Sequence, residues 1–378
     1  MTARIEQFLR ETDPPTPCVV VDLNVVESNF SSLRSEFPTA DIYYAVKANP
    51  AKEIVEQLVS LNSSFDTASI PEIELCLSLG AKPEQLSFGN TIKKERDIKT
   101  AFDLGINLFA FDSELELEKI ARQAPGSKVF CRILTDGEGA EWPLSRKFGC
   151  YSIMAVQLLR RAKELGLHPY GVSFHVGSQQ TNLSAWRKAI NITHDVFKSL
   201  AHQGIELQMV NLGGGFPAHY TKNIAALSEY SAAIHGYMHE FFGDNLPRMI
   251  LEPGRSMVGD SGVLVSEVVL ISHKSYADDD VRWVYLDVGK FGGLAETMDE
   301  AIRYRITTDR DDANTLPSIL AGPTCDSADI MYEKNPYPLA ADLQVGDKVY
   351  IQSAGAYTTS YSSVFFNGFA PLKNFFVK

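Results

Sequence analysis

The sequence predicts an α/β fold, a TIM-type (β/α)8 barrel followed by an antiparallel β-sheet or β-barrel domain. Two observations support this prediction. Short β-rich runs recur about every 22 residues in the first part of the chain, with amphipathic helical stretches between them. After about residue 260, strand-like runs continue without helices of comparable strength. We therefore expect two domains, which a length of 378 residues also suggests.

The barrel is predicted from eight strand-like runs and the helical stretches between them. The runs begin near residues 41, 63, 85, 107, 128, 170, 206 and 248. The helical stretches cover residues 51–60, 93–104, 112–122, 150–166, 182–202 and 224–242. Eight parallel strands with intervening helices close most economically as a barrel, although this periodicity also fits a doubly wound sheet. We expect the barrel to span residues 20–260.

The second domain is predicted from residues 1–19 together with residues 261–378. Its strand-like runs cover residues 262–272, 281–287, 316–321 and 347–353. The opening run from Pro17 to Val21 is also strand-like, and we expect it to pair with this sheet. The two ends of the chain are therefore predicted to form one β domain.

Composition excludes several classes of function. A net charge of −12 disfavours nucleic acids and anionic membranes as partners, because both require clustered Lys and Arg. Without an apolar stretch of about 18 residues or a basic-then-apolar leader, we expect a soluble, cytoplasmic protein. The five cysteines lack CxxC or metal-ligand spacing and predict neither a disulfide scaffold nor a zinc site. Cys18, Cys76, Cys131 and Cys150 lie in apolar or helical settings, and Cys325 lies in a loop.

Lys47 lies at the end of the apolar run from Tyr43 to Val46. Nothing structural requires a lysine there. Apolar surroundings would lower its pKa toward the neutral amine that condenses with aldehydes. The alternative is a lysine that is satisfied by a structural partner.

Polar residues and glycines recur at the ends of the other predicted strands. They are Asp66, Arg132, His175, Gly213, Gly214, Gly215, Glu252 and Arg255. Because the carboxyl ends of barrel strands meet at one mouth, we expect these residues to converge there with Lys47.

Each of these residues also has a structural interpretation. The glycines fit a turn as well as a phosphate cup, for which Arg255 would supply a fixed positive charge. Glu252 could form an ion pair with Arg255 at the barrel rim, or keep the nitrogen of a pyridine ring protonated. His175 could be a core histidine or a flat ring that stacks on a planar cofactor.

Asp66 and Arg132 could likewise form a structural ion pair. Beside a reactive lysine, Asp66 could instead control the proton of Lys47, while Arg132 reaches a phenolic oxygen. Taken together, the groups at the strand ends supply the parts of a pyridoxal 5'-phosphate (PLP) site. This hypothesis makes Lys47 a reactive amine.

The motifs YYAVKANP, FDTAS, SFHVGS, NLGGGFP, EPGR, GPTCDSAD and GAYT appear in this order along the chain. As an ordered set they resemble the fold-type III PLP-dependent decarboxylases of ornithine, lysine, arginine and diaminopimelate. The resemblance extends from about residue 15 to residue 370 and implies an alanine racemase-like pair of domains. It is closest to the bacterial ornithine and lysine/ornithine decarboxylases.

The resemblance also implies a role for each site residue. Lys47 would hold PLP covalently, His175 would stack on the ring and Glu252 would bind the pyridine nitrogen. Asp66 and Arg132 would lie near the reactive end of the cofactor. The phosphate would be held by Ser178, Gly213, Gly214, Gly215, Gly254, Arg255 and Tyr357.

The resemblance further implies a head-to-tail homodimer with shared active sites. The β domain would carry the dimer contacts and bring Cys325 and Asp326 to the site of the neighbouring subunit. Cys325 would protonate the substrate Cα after carbon dioxide leaves, unless it is an inert loop cysteine. Asp326 would face the distal ammonium of the substrate.

The substrate pocket is predicted to include Phe291 and Tyr357. One of the acids Glu296, Asp299 and Glu300 would also line it, and the sequence leaves open which one. Ornithine is the first choice of substrate and lysine the second. The alternatives are diaminopimelate, arginine or carboxynorspermidine decarboxylation, and a regulatory homologue of the antizyme-inhibitor type without catalysis.

Overall fold

A computed structural model of the protein describes residues 1–142, 147–275, 281–311 and 314–378. The chain divides into two compact units. We call Glu27–Pro217 with Ile224–Ser256 the barrel unit, and Met1–Val26 with Ala218–Asn223 and Met257–Lys378 the β unit. The β unit takes in a few more N-terminal residues than predicted and one short segment from within the predicted barrel.

The N-terminal segment forms α1 (Ala3–Thr12), β1 (Cys18–Asp22) and α2 (Leu23–Glu36). The hydroxyl of Thr2 caps α1 by accepting a hydrogen bond from the backbone N–H of Ile5. Ten strands follow in chain order: β2 (Ala40–Ala45), β3 (Ser64–Thr67), β4 (Leu86–Phe88), β5 (Leu108–Phe111), β6 (Lys128–Arg132), β7 (Ala140–Trp142), β8 (His168–Ser173), β9 (Ser178–Gln180), β10 (Met209–Asn211) and β11 (Arg248–Leu251).

All of β2 to β11 except β7 and β9 pair in parallel as a closed barrel of eight strands. Strand β11 pairs with β2 and closes the barrel, which confirms the prediction and excludes the doubly wound sheet. The remaining two strands, β7 and β9, form an antiparallel pair. The interior is filled by one apolar cluster, Tyr43, Leu108, Ala110, Phe130, Tyr170, Met209 and Ile250.

The helices that follow β2 in the chain are α3 (Lys52–Ser60), α4 (Ile70–Ser78), α5 (Glu95–Asp103), α6 (Glu114–Gln123), α7 (Ser152–Glu164), α8 (Ser184–Ala201), α9 (Leu227–Phe242) and α10 (Arg255–Val258). Six of them match the predicted helical stretches to within three residues. Helix α8 shows how amphipathic spacing predicts a helix. Its buried residues Trp186, Ile190, Thr193 and Val196 recur every three or four positions and lie on one face. No helix in the described part of the chain is long and apolar enough to cross a membrane.

The amino end of the barrel is held together by Arg248, the first residue of β11. Its guanidinium donates to the carboxylate of Asp41 at 2.7 Å and to the hydroxyls of Tyr43 at 3.2 Å and Tyr170 at 3.3 Å. These residues come from β2, β8 and β11, so one planar cation links three strands. The residues predicted to be functional lie at the opposite end of the strands.

The β unit contains one sheet of nine strands among the described residues. Besides β1, the strands are β12 (Gly262–Ser272), β13 (Arg282–Leu286), β14 (Arg305–Thr308), β15 (Thr315–Ala321), β16 (Ile330–Met331), β17 (Tyr337–Ala340), β18 (Lys348–Gln352) and β19 (Lys373–Val377). Strand β1 pairs with β12, which confirms the predicted role of the opening run. Most pairs are antiparallel as predicted, but β1 with β19 and β13 with β15 are parallel.

The cysteines lie where the sequence predicts. Cys18, Cys76, Cys131 and Cys150 are buried and Cys325 is exposed, and all five are free thiols. Burial raises the pKa of the Cys18 thiol to about 11 and that of Cys76 to about 12. Such thiols remain protonated at neutral pH and act as small apolar residues.

The loop that follows β4 is held by a buried lysine. The ammonium of Lys93 lies 3.1 Å from the carboxylate of Glu116 and donates to the carbonyls of Ala110 at 2.6 Å and Asn90 at 2.7 Å. Burial lowers the pKa of Lys93 to about 8, although the charge of Glu116 opposes this shift. The same loop contains Gly89, which contacts the candidate site described below.

We expect Glu116→Gln to lower the free energy of unfolding by about 3 kcal/mol, because it leaves Lys93 buried without its counter-charge. Urea unfolding at pH 7 measures this change. Glu114→Gln is the control, since Glu114 is an exposed residue of the same helix, and it should cost less than about 1 kcal/mol. Equal small changes in the two variants would show that the fold does not need the buried pair.

Candidate active site

Lys47 lies immediately beyond the carboxyl end of β2. The strand is buried up to Ala45, and a single turn of 3-10 helix, Val46–Ala48, follows it. Val46 and Ala48 are buried and the side chain of Lys47 is exposed in the chain. The N–H of Ala45, directly before this turn, donates to the carbonyl of Pro253, two residues after β11, at 3.0 Å.

The prediction of apolar surroundings for Lys47 is wrong. Its ammonium lies near two carboxyl groups, Asp66 and Glu72. Desolvation raises the pKa of both acids, and the positive charge of Lys47 opposes that rise. The apolar residues before it are buried on both faces of the strand, because successive residues point to opposite sides, and Tyr43 belongs to the interior cluster. The lysine therefore sits among charges rather than among apolar groups.

Two carboxylates converge at the mouth of the barrel. Asp66 from β3 is buried, with 7% of its surface exposed, and burial raises its pKa well above the usual range. The negative charge of Glu252, which follows β11, raises that pKa further. The charge of Lys47 and a 3.1 Å hydrogen bond from the hydroxyl of Ser87 act in the opposite direction. The pKa of Asp66 is raised in spite of these two opposing contributions.

Arg132 at the end of β6 belongs to the same cluster. Desolvation lowers the pKa of its guanidinium, and the charges of Glu252, Asp112 and Asp66 raise it. An arginine remains a cation under these influences. It therefore balances part of the negative charge at the barrel mouth.

His175 follows β8 and is held as a neutral ring. Desolvation lowers its pKa well below the usual range, and the positive charges of Arg132 and Lys47 lower it further. Its Nδ1 accepts a hydrogen bond from the N–H of Gly177 at 3.0 Å. A ring nitrogen that accepts carries no proton, so the proton of the neutral ring is on Nε2.

The glycine triplet after β10 packs against other backbone atoms. A Cβ on Gly213 would lie 2.2 Å from the carbonyl oxygen of Phe174, and one on Gly215 would lie 2.4 Å from that of Gly177. Gly213 and Gly215 also have φ angles of +66° and +96°. A Cβ on Gly214 would lie 2.4 Å from the carbonyl oxygen of Glu252. Only glycine fits at each position, which leaves an open cradle of backbone.

The predicted anion-binding residues are paired in the structure. Arg255 is 3% exposed, and its Nε and Nη2 donate to the hydroxyl of Ser178 at 3.1 and 3.0 Å. Gly254 is buried directly before it. A buried guanidinium beside a glycine cradle provides charge and backbone amides for a phosphate group.

Asn211 was not predicted from the sequence and links the two halves of the site. Its Nδ2 donates to the carboxylate of Glu252, and its Oδ1 accepts from the N–H of Gly213 at 2.9 Å. The N–H of Glu252 in turn donates to the carbonyl of Gly213 at 2.8 Å. One buried amide thus orients both the acid and the first glycine of the cradle. Its position at the strand end, directly before LGGG, is the signal that could have identified it.

Glu72 and Gly89 were also not predicted from the sequence. Glu72 accepts from the N–H of Ala68 at 2.6 Å, and the pattern Ser69-Ile-Pro-Glu72 at the start of α4 is a sequence signature of a helix start. A Cβ on Gly89 would lie 1.8 Å from Oδ1 of Asp66. The carboxylate of Asp66 therefore occupies space that only glycine leaves free.

The β unit carries Phe291, the pair Cys325-Asp326 and Tyr357 on three separate segments, which follow β13, β15 and β18. Cys325 and Asp326 are exposed. The N–H of Cys325 donates to Oδ1 of Asn367 at 3.0 Å, and Oδ1 of Asp326 accepts from the N–H of Ala328 at 2.9 Å. Phe291 packs edge-on against Phe366 with ring centroids 5.3 Å apart. Tyr357 has a φ angle of +55° in the same unit.

The three acids predicted near the substrate differ in their surroundings. Glu296 is buried, with 5% of its surface exposed, and Asp299 is exposed. The carboxylate of Glu300 accepts hydrogen bonds from the backbone of Lys334 and Asn335 and from the side chain of Asn335. Desolvation alone would raise the pKa of Glu300, but these hydrogen bonds outweigh it and lower the pKa. The carboxylate of Glu300 is therefore already occupied by hydrogen bonds within the protein.

A family model described as pyridoxal-dependent decarboxylase, pyridoxal binding domain, matches residues 23–259. The chain belongs to this decarboxylase family. The lysine/ornithine decarboxylase of Selenomonas ruminantium is 35% identical over 356 residues, covering 94% of this chain and 88% of the relative.

Two solved structures are similar over whole chains. A lysine decarboxylase of the same organism, solved with PLP and cadaverine, has a TM-score of 0.88 at 32% identity and covers 100% and 94% of the two chains. The lysine/ornithine decarboxylase of Vibrio vulnificus, complexed with putrescine, has a TM-score of 0.86 at 28% identity and covers 99% and 97%.

The cofactor of this pyridoxal-dependent decarboxylase is PLP. The barrel unit fits it on three observations. The glycine cradle leaves room where any Cβ would clash, Arg255 supplies a buried cation for a phosphate, and His175 offers a neutral ring. An amine, Lys47, and a carboxylate, Glu252, complete the set of groups that PLP chemistry requires.

We expect Gly89→Ala to reduce the rate of decarboxylation by about 10-fold or more, because the new methyl group must displace the carboxylate of Asp66 by about 1 Å or more. Activity and the absorbance of lysine-bound PLP measure the effect. Gly236→Ala in α9 is the control, since nothing lies within 4 Å of its Cβ position and alanine favours helices. Normal activity in Gly89→Ala would contradict a requirement for Asp66 at its observed position.

Proposed function

We propose that this enzyme decarboxylates L-ornithine to putrescine, and L-lysine to cadaverine less efficiently, as a cytoplasmic homodimer with shared active sites in polyamine biosynthesis. The observation that carries the proposal is the exposed pair Cys325-Asp326, which supplies one proton donor and one carboxylate for a distal ammonium. The relatives described above, a lysine/ornithine decarboxylase and structures with cadaverine and putrescine, support this class of substrate.

The barrel unit would hold the cofactor at both of its ends. Lys47 would bind PLP covalently, and the ring of His175 would stack on the cofactor ring. The phosphate would lie on the backbone of Gly213, Gly214 and Gly215, with contacts from Ser178, Gly254 and Arg255. The N–H of Gly213 already donates to Asn211, so we assign the cradle amides that face the phosphate to Gly214 and Gly215.

Bound PLP supplies the electron sink for the pair that remains on Cα when carbon dioxide departs. Glu252 would keep the ring nitrogen protonated, and Asn211 donates a hydrogen bond that orients its carboxylate. Asp66 would hold a proton near Lys47, in keeping with its raised pKa. Arg132 would face the phenolic oxygen of the cofactor.

Cys325 of the neighbouring subunit would protonate Cα, and Asp326 would pair with the distal ammonium of the substrate. Phe291 and Tyr357 would line the pocket. Of the three acids, we propose Glu296 for the pocket, because the carboxylate of Glu300 is bound to residues 334–335 and Asp299 points to solvent. Diaminopimelate would bring a second carboxylate against Asp326, which disfavours it.

The dimer is supported by apolar surface beside the same loop. Val364 and Phe365 are 72% and 63% exposed, and Phe366 and Phe369 are also exposed. Asn367, within this segment, accepts the N–H of Cys325. Contiguous exposed apolar side chains of this kind are typical of an interface. We propose that a second subunit covers this surface and that Cys325 lies in the site of that subunit.

The function is tested by carbon dioxide release from ornithine, lysine, arginine and diaminopimelate. We expect ornithine to be preferred over lysine by no more than about 3 kcal/mol in kcat/KM, because the two differ by one methylene, and diaminopimelate to be inert. Asp326→Ala should cut kcat/KM for both good substrates about 10-fold or more without loss of PLP. Lys47→Ala is the inactive control. Diaminopimelate as best substrate would overturn the distal-amine assignment, and no release from any of the four would favour a regulatory homologue.

The shared site is tested by mixing two inactive variants. Lys47→Ala and Cys325→Ala should each be inactive alone, and subunit exchange between them should restore up to about a quarter of wild-type activity per site, since a mixed dimer holds one intact site. Exchange is followed separately by mass spectrometry of differently tagged subunits. Proven exchange without recovered activity would contradict the shared site while leaving the decarboxylase activity intact.

A further inference from the structure

Asp329 is a buried acid that the proposed function does not use. It is 3% exposed in the β unit, three residues after Asp326. Its Oδ1 accepts from the N–H of Lys290 at 2.8 Å, and its Oδ2 accepts from the hydroxyl of Thr324 at 2.7 Å. The N–H of Thr324 is also directed at Oδ2, at 3.3 Å. One carboxylate therefore joins the segment of Phe291 to the segment of Cys325.

The backbone of Asp329 closes the second segment on itself. Its carbonyl accepts from the N–H of Gly322 at 2.8 Å, and its own N–H donates to the carbonyl of Asp326 at 3.0 Å. The loop from Gly322 to Asp329 is thus fixed at both ends by one residue. Cys325 and Asp326 lie at the tip of this loop.

Two glycines make room for the carboxylate. A Cβ on Gly289 would lie 2.1 Å from Oδ1 of Asp329, and a Cβ on Gly322 would lie 2.2 Å from Oδ2. Both segments approach the acid more closely than any other residue would permit. The sequence therefore provides a matched socket for a carboxylate, with a glycine on each side.

The socket suits a side chain with two acceptor oxygens. Every side-chain hydrogen bond described above runs from a donor to a carboxylate oxygen of Asp329. An amide in its place would direct an N–H group at one of the donors. Loss of the acid would leave buried donors without acceptors, which is costly.

We infer that Asp329 is a positioning residue that sets the distance between the Cys325-Asp326 tip and the Lys290-Phe291 segment. The inference rests on the proposed function, because those two segments carry the proposed proton donor, the carboxylate for the distal ammonium and a pocket wall. Asp329 touches neither substrate nor cofactor in this scheme. It acts through Thr324, directly before Cys325, and through Lys290, directly before Phe291.

The test compares Asp329→Ala, Thr324→Val and the double variant in the PLP-loaded enzyme. We expect Asp329→Ala to lower kcat for ornithine by about 100-fold, since misplacement of a reacting group by about 1 Å can cost that much. Thr324→Val removes one contact and should lower kcat by about 10-fold. The double variant should be no worse than Asp329→Ala, because both changes break the same link. Asp342→Asn, at an exposed aspartate of the same unit, is the control and should behave as wild type.

Two readouts separate positioning from loss of fold. The ratio of kcat/KM for ornithine to that for lysine should move toward one in both single variants, while the absorbance of lysine-bound PLP stays unchanged. The rate at which iodoacetamide alkylates Cys325, followed by peptide mass spectrometry, should change about 5-fold or more when the loop is released. Thr324→Val keeps the test decisive if Asp329→Ala does not fold.

The inference would be overturned if the two single changes had strictly additive effects on kcat in the double variant. It would also be overturned if Thr324→Val changed neither the ornithine-to-lysine ratio nor the alkylation rate of Cys325. A wild-type enzyme without activity on either amino acid would instead overturn the proposed function. The alkylation measurement still reports on the loop in that case, so the two failures are distinguishable.

Discussion

The barrel site is organised by the repulsion between two carboxylates, Asp66 and Glu252, at the carboxyl ends of its strands. Burial raises the pKa of Asp66, and the negative charge of Glu252 raises it further. The positive charge of Lys47 opposes this rise, and Arg132 belongs to the same charged cluster. Asn211 orients Glu252 through a hydrogen bond, whereas Asp66 accepts a hydrogen bond from Ser87. The two acids therefore have different surroundings at one barrel mouth.

Glycines make this arrangement of acids and carbonyls sterically feasible. Gly89 leaves space for the carboxylate of Asp66, and Gly214 leaves space for the carbonyl of Glu252. The same device recurs in the β unit, where Gly289 and Gly322 enclose the carboxylate of Asp329. In each case a missing Cβ lets a polar group approach the backbone closely. Such glycines look like loop residues in the sequence, although their role is to accommodate a distant neighbour.

Much of the site could be predicted because its residues lie at strand ends. The period of the apolar residues places each strand, and the fold then brings the carboxyl ends together, so Lys47, Asp66 and Glu252 could be grouped without coordinates. Gly89 could not, because its importance depends on Asp66, 23 residues away, whose approach no local pattern encodes. Asn211 lies at a strand end, but its hydrogen bond to Glu252, 41 residues away, is known only from the structure. The surroundings of Lys47 were predicted wrongly for the same reason. Local sequence showed its apolar neighbours along the strand, and only the barrel showed its charged neighbours across the mouth.

The sequence by itself determined the alternation of strands and helices in the barrel, the residue types at the strand ends and the glycines that follow β10, since these depend on local periodicity and backbone sterics. Tertiary structure decided which acid is buried, which ring is neutral and which amide holds Glu252, because desolvation and hydrogen bonding depend on neighbours from other strands. It also decided the parallel pairs of β1 with β19 and of β13 with β15. The backbone hydrogen bonds of these pairs join segments far apart in the chain, and side-chain pattern alone does not specify the partner strand.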